Sequence, residues 1–472
     1  MRKKNLVNWG TVMVCVCLLG VCAWPPAAGA AETGLGIFED NPRYFTFDGE
    51  PIFFASRSFG WTAVSDPDLD YVRDIETTAA HGGNLLRLTL FWPGHGEEGG
   101  ELPWARDEDT GLYDLDEFNP AYFERLRHYL SVAREHDAVV NLELFDHPAV
   151  KGGAGRWPTH PMNPDKNVNY GDDVFSTSSV DHNFFLTLPE HNDVPAALAY
   201  QRELVRKVLD ETLEYDHIIY SLGNECPSPV EWNEYWVEFI HDYVAEQDAD
   251  PVLVTNMWDR DLPVFDVFDA HDAQSPYRLR RMGAEGMWDA YQAIYTRQEE
   301  ETGVKPVYDS GQMGGPPGSH ILHQVWMSLV GGTAGMRYHR LAPVFPRPGV
   351  SSEVEVGNWE DPHHLEQQRW IENIRAFVDD LEFWTMEPQW DAVAEGEAYM
   401  FARPGDEYVI YFPHGGTARF AEPAEPGEYE FRWYNPDTGE THSQWTDEVE
   451  AGAEPTIEAP SEQDWVLHAR RQ

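Results

Sequence analysis

The sequence is poor in lysine, in cysteine and in apolar runs long enough to span a bilayer. After the first thirty residues lysine occurs only as Lys151, Lys166, Lys207 and Lys305. The 472 residues carry 33 Lys+Arg against 82 Asp+Glu, a formal net charge of −49. A surface of that sign repels phosphate backbones and anionic lipid, which argues against nucleic acid and anionic membranes as partners. Acid-rich, lysine-poor composition is also that of salt-adapted proteins, whose self-repulsion is screened by concentrated ions, and it predicts instability at low salt. Three of the four cysteines, Cys15, Cys17 and Cys22, fall in the leader described next. Cys226 is left alone, so no intrachain disulfide is expected. It reads as a small buried apolar side chain, because no base can be named to make it a nucleophile.

The first thirty residues have the form of a secretory signal. Arg2, Lys3 and Lys4 precede an apolar stretch over Val12–Ala23, and Ala28-Gly29-Ala30 offers a small-residue cleavage site. The stretch is short for a membrane span and Pro25-Pro26 closes it. A lipoprotein reading at Cys22 is poor, since Val21 is large for the preceding position. The expected location is secreted or periplasmic, with no membrane association after cleavage. Neither a GxGxxG after a strand nor a GxxxxGK[ST] loop occurs, so no organic cofactor is expected. Without HxH or HExxH spacing no metal is expected either, although His147, His271, His339 and Asp309 could converge as ligands in a metal-dependent hydrolase.

What the chain does have is a long alternation of strand-like and helix-like runs. Tyr44–Ser56 reads as a hairpin about Asp48-Gly49 whose second arm becomes the first strand of a series. Leu85–Phe91, Ala138–His147, His217–Glu225, Pro251–Trp258, Val264–Asp272, Lys305–Gly311 and Thr333–Arg340 supply seven more, with helical patterns between most of them. This predicts an α/β fold, a (β/α)8 TIM barrel over 31–385. Pro93–Glu117 and Pro148–Asp193 read as loops, the second long enough to shape a cleft. His363-His364 reads as a solvated helix start. Over 390–472, short alternating runs such as EYVIYFP and WVLHARR predict a small antiparallel β-sandwich.

The tip of His217–Glu225 (HIIYSLGNE) organises the rest. Pro227 and Pro229 stop the strand, Ser228 is the expected cap of the next helix, and Asn224-Glu225 stand at the C-terminal end, where such barrels do their chemistry. A carboxylic acid beside an amide suits glycoside hydrolysis: the acid protonates the leaving oxygen while the amide holds a sugar hydroxyl. Strand alternation turns Leu85, Arg87, Thr89 and Phe91 inward, and a buried Arg needs an acid. Glu143, inward and lower on the third strand, is the expected partner of Arg87 and a reserve catalytic acid. Asp309, inward on the seventh strand, reads equally as a second catalytic carboxylate or as a structural acid. Asp146 and Asp272 count as outward and stand as alternates. His147 and His271 are expected to line the cavity, and Trp61, Trp92, Trp258 and Tyr338 to offer aromatic faces to a sugar. Trp433 and Trp465 are expected in the core of the tail domain.

Several short motifs carry a resemblance. Phe47-Asp48-Gly49-Glu50-Pro51 with Phe53-Phe54, Asn84–Arg87, Leu222-Gly223-Asn224-Glu225, Lys305-Pro306-Val307 and Trp326–Gly335 occur in order. The tail adds Arg432–Gly439 (RWYNPDTG) and Asp464-Trp465-Val466-Leu467. Together they resemble the retaining glycoside hydrolases of clan A, and among them the apiosidase-like members whose C-terminal domain is labelled collagen-binding. The resemblance implies Glu225 as acid/base, Asn224 against the sugar 2-hydroxyl and Arg87 as brace of the nucleophile. It also implies a nucleophilic Glu near the end of the seventh strand, where this chain has Gly311, with Asp309 the nearest acid. Retention needs carboxyls ~5–5.5 Å apart and inversion roughly 6.5–9.5 Å. The expected activity is hydrolysis of a poly- or oligosaccharide. The alternative is a barrel that has lost hydrolysis and serves carbohydrate binding or surface adhesion.

Overall fold

A computed structural model describes residues 33–58, 62–90, 101–151, 156–257, 262–271, 282–314, 321–341, 360, 362–421, 425–451 and 456–472. Eight strands follow in chain order: β1 (Phe54–Arg57), β2 (Leu85–Thr89), β3 (Val139–Asp146), β4 (Ile218–Asn224), β5 (Leu253–Thr255), β6 (Phe268–Asp269), β7 (Val307–Gly314) and β8 (Gly335–Leu341). They form two four-stranded parallel sheets, β2-β3-β4-β5 and β6-β7-β8-β1. The seam between β1 and β2 is stitched by one side chain. Asn84 accepts from the Ala55 N–H and donates to the Phe53 carbonyl, both at 3.0 Å. At the seam between β5 and β6, Asp266 N–H reaches the Val254 carbonyl at 3.1 Å and the Thr255 hydroxyl donates to the Val267 carbonyl at 2.9 Å.

The helices α1 (Tyr71–Ala80), α2 (Pro120–Glu135), α3 (Pro195–Thr212), α4 (Val230–Glu246), α5 (Ala284–Arg297), α6 (Leu322–Val330) and α7 (Pro362–Val378) separate or follow the strands. α2 shows the local logic. Asn119 caps it by accepting from Ala121 N–H at 3.1 Å, Pro120 opens it, and Tyr122, Phe123, Leu126, Tyr129, Leu130 and Ala133 make one buried stripe. Alternate strand residues separate into two cores. Leu86, Leu88, Leu142 and Leu222 pack with α2, α3 and α4, while Leu85, Val139, Ile219, Leu253 and Val307 share the other cluster.

Four local expectations are corrected. Pro93–Glu117 is more than a loop: Trp104–Arg106 pairs antiparallel with Tyr113–Phe118, turning at Gly111. Ser228 does not cap α4. Pro229 occupies that position, and the Ser228 hydroxyl donates to Asn233 Oδ1 at 3.0 Å, inside the helix it was expected to begin. His364 is buried in α7, where burial pulls its imidazole down to about 2, because the helix face it occupies turns towards Arg57 and Gln368. The long segment after β3 contains the short helix His147–Val150 and two 3₁₀ turns.

In the tail, a six-stranded antiparallel sheet and a three-stranded sheet enclose Phe412, Phe420, Trp433, Trp465 and Leu467, so both expected tryptophans lie in the core. The tail docks through the turn Asn435–Gly439. Asp437 accepts from Trp370 Nε1 at 2.7 Å, and Asn373 Nδ2 donates to the Pro436 and Asp437 carbonyls. Trp326 stacks on Tyr411 at 6.2 Å, and both belong to one buried cluster that runs from α6 into the tail. No helix among the described residues is long and apolar enough to cross a membrane.

Candidate active site

β4 ends in a backbone reversal. A Cβ on Gly223 would meet Cys226 Sγ and come within 2.7 Å of the Phe145 carbonyl, so the turn folds back against β3 with no room for a side chain. Cys226 is buried in that turn and donates to the Asn224 carbonyl at 3.4 Å. Glu225 follows at φ +50°, a left-handed conformation that is strained for a residue with a Cβ and concentrates at functional sites. Its side chain is half-buried and has no hydrogen-bond partner among the described residues.

Arg87 is the hub beside it. Nε donates to Glu143 Oε1 at 2.6 Å and Nη2 to Asn224 Oδ1 at 2.7 Å. Thr89 Oγ1 takes the other Glu143 oxygen at 2.6 Å, so both Glu143 oxygens are occupied in a fully buried site. Glu143 is thus the brace of Arg87 expected from strand alternation. Asn224 Nδ2 donates to Asp146 Oδ1 at 2.5 Å, and Asp146 Oδ2 accepts from Ala149 N–H at 2.6 Å. Burial pushes the Asp146 carboxyl well above the usual range, against the pull of Asn224. Asp146 therefore joins the site despite its outward count. The end of β3 turns, Phe145 packing on Trp232 and Trp236 while the next side chain meets Asn224.

The second acidic group lies on β6 and β7. Asp269 accepts from Ser310 N–H at 3.1 Å and Ser310 Oγ at 2.6 Å. Burial, with the neighbouring Asp309 charge, pushes its carboxyl up to about 6. Asp309 Oδ1 accepts from Gly311 N–H at 2.8 Å and stands 3.3 Å from His271 Nδ1. Both residues are buried, at 2% and 3% exposure.

The other sequence-derived residues divide. His147 is tied to the long segment rather than to Arg87. Its Nε2 meets Asp181 Oδ1 at 2.6 Å, its ring packs on Phe185, and burial holds its imidazole below the usual value. Tyr338 is 0% exposed, donates to the Ile321 carbonyl at 3.0 Å and packs towards Trp370, so it offers no face to a sugar. Residues whose parity turns them inwards on β8 alternate with it, which is why an apolar ring at 338 meets α6 and α7. Trp61, Trp92, Trp258, Asp272 and the His339 side chain lie outside the described residues. No metal was expected; among the described residues, His147, Asp181 and His182 bring possible ligand atoms within 4.8 Å of one another.

With this geometry in view the chain can be set beside known proteins. A family model described as a domain of unknown function, DUF6298, matches residues 99–262. No curated protein matches. Among solved structures, a glycoside hydrolase family 5 protein from Bacteroides vulgatus is 13% identical, with 93% of this chain and 94% of its own covered and a TM-score of 0.63. A second glycoside hydrolase is 14% identical over 93% and 97%, at 0.60. The chain shares the fold of these two proteins. An α-amylase from Geobacillus thermoleovorans shares it more loosely, 12% identical over 85% and 91% at a TM-score of 0.51. Within that fold the strand tips gather Arg87, Asn224 and Glu225 on one side and Asp269, His271 and Asp309 on the other.

Proposed function

We propose that the chain is an exported glycoside hydrolase that cleaves O-glycosidic bonds of a poly- or oligosaccharide, built on a closed (β/α)8 barrel. Glu225 is its general acid/base and Asp309 the second acid of the site. The observation that carries the reading is the contrast among the acids. Glu143 and Asp146 are buried and have both oxygens bonded, whereas Glu225 is half-exposed, strained and without a hydrogen bond among the described residues, beside an amide held by Arg87. An unengaged carboxyl next to a fixed amide is what protonation of a glycosidic oxygen and binding of a sugar hydroxyl require. The leader motif supports export, the charge supports a saline setting, and the tail serves as a packing partner docked through Asp437.

The test is hydrolysis of a panel of aryl glycosides in concentrated salt by the native chain and Glu225→Gln. Native turnover with a loss of about 10²–10⁴-fold in the variant is expected for removal of a general acid. Equal turnover by both would remove Glu225 from the mechanism. The second reading, a barrel that binds carbohydrate or a surface without cleaving it, is favoured by one observation: Gly311 carries no acid and Asp309 is almost wholly covered. A native chain that binds glycans and cleaves none of the panel selects it.

A further inference from the structure

Hydrolysis needs a second group opposite Glu225, and the described acids do not present one to a substrate. Asp309 is buried, and His271 stands against it. An ideal Cβ on Gly311 would lie 3.0 Å from both Cε1 and Nδ1 of His271 and 2.9 Å from Arg87 Nη1. The imidazole and the guanidinium therefore occupy the space that any side chain at 311 would take. His271 Nδ1 faces Asp309 Oδ1 at 3.3 Å, which leaves Nε2, across the ring, as the nitrogen available to a reacting molecule. Both Nδ1 and Asp309 Oδ2 are buried without a hydrogen bond. Buried polar atoms left unpaired are costly and call for an explanation, and a catalytic role is one such explanation. Arg87 connects the two halves: Nη2 holds the amide next to Glu225, and Nη1 lies against residue 311.

We propose that His271, positioned by Asp309, is the general base of an inverting hydrolysis in which Glu225 is the general acid. The inference rests on the glycosidase reading and replaces direct attack by Asp309 with action through His271. With substrate bound, Nδ1–H closes onto Asp309 as a hydrogen bond, which fixes the tautomer and leaves the Nε2 lone pair for a water molecule. Nε2 takes one proton of that water as its oxygen bonds to the anomeric carbon. The glycosidic C–O bond breaks, its electron pair stays on the leaving oxygen, and that oxygen takes the Glu225 proton. An imidazolium and a carboxylate remain, and transfer of one proton through solvent restores the starting forms. The 3.3 Å contact is long for a hydrogen bond, as catalytic hydrogen bonds often are before substrate is bound.

The first measurement needs no variant: proton NMR of the anomer first released by the native chain from an aryl glycoside it cleaves, in concentrated salt. Inversion is the expected result, and retention overturns the proposal. His271→Gln is then expected to lower kcat by about 10²–10⁴-fold with KM changed by less than about threefold. Asp309→Asn, which removes a positioning group, is expected to lower kcat by about 10–100-fold, again with little change in KM. A His271→Gln enzyme that keeps more than a tenth of native kcat overturns the proposal, as does an Asp309→Asn loss carried by KM alone. Glu225→Gln separates the two levels. Activity that depends on Glu225 but proceeds with retention leaves the glycosidase reading standing and removes His271 as base. Absence of hydrolysis by the native chain removes both.

Discussion

Gly311 is where a single methyl separates the chemistry from the fold. Arg87 cannot retreat freely from a Cβ there, because Glu143 and Asn224 hold its other nitrogens. Gly311→Ala is expected to lower kcat at least tenfold while costing about 1–3 kcal/mol of stability, the range for inserting a methyl group into a packed site. Unchanged kcat in a folded variant would show that the placement of Arg87 and His271 around Gly311 is dispensable. Asp269 sets a second expectation. Its folded value of about 6 lies above the ordinary 3.8, so the folded chain binds the proton more tightly than the unfolded chain does. Stability therefore falls as pH rises from about 4 to about 6, with the loss, about 3 kcal/mol at this size of shift, complete above the folded value. The unfolding free energy of the native chain relative to Asp269→Asn, from denaturant titrations, is expected to be about 3 kcal/mol more favourable at pH 3 than at pH 7. A pH-independent difference would refute it. Some of this site was legible in the sequence. Strict alternation along β2 and β3 pairs Arg87 with Glu143. It misplaces Asp146 because the end of β3 turns, and it gives no hint that His271 fills the space beside Gly311, since periodicity reports which face a residue takes and not how far its side chain reaches.

Among the elements, the seam between β1 and β2 depends on Asn84 in place of a ladder. Its amide satisfies the Ala55 N–H and the Phe53 carbonyl; the carbonyl also accepts from Arg375 Nη1 at 2.7 Å, so truncation leaves the Ala55 N–H as the group without its partner in the buried gap. Asn84→Ala is expected to cost about 1–3 kcal/mol, from one buried backbone N–H left unpaired. Urea unfolding checks this, and a change under 0.5 kcal/mol, the size of an ordinary surface substitution, would show the seam to be held elsewhere. The eight strands were readable because each is a short apolar run closed by turn residues. The Trp104–Arg106/Tyr113–Phe118 hairpin was not, because its first strand has only three residues and acids interrupt its second. Its signal lay in the turn, where Asp107 Oδ1 accepts from Thr110 N–H at 2.7 Å and Gly111 takes φ +70°. The Asn435–Gly439 motif was legible as a sequence signature, but its work as the docking turn on α7 depends on Trp370 and Asn373, more than sixty residues away in the chain.

At the scale of the whole molecule, a formal charge of −49 acts on every element at once. Some acids are neutralised in place: Arg134 alone meets Asp48, Asp137 and Asp216, and Arg403 meets Glu382, Asp406 and Glu407. With 33 Lys+Arg for 82 Asp+Glu, most acids cannot find such a partner, and their mutual repulsion opposes the compact state. Added salt shortens the screening length from about 10 Å at 0.1 M to about 3 Å at 1 M, which removes repulsion between neighbouring surface acids while leaving the buried Arg87–Glu143 pair almost untouched. The midpoint of thermal unfolding is therefore expected to rise steeply with KCl, most of the gain arriving below ~1 M, where the screening length changes most. NaCl should match KCl, because screening depends on ionic strength and not on ion identity. Sucrose, which favours burial by exclusion from the surface without screening, should give a smaller rise that does not level off in the same way. A midpoint independent of KCl would mean that the acids are already neutralised within the fold, and the salt-adapted reading of the composition would fall.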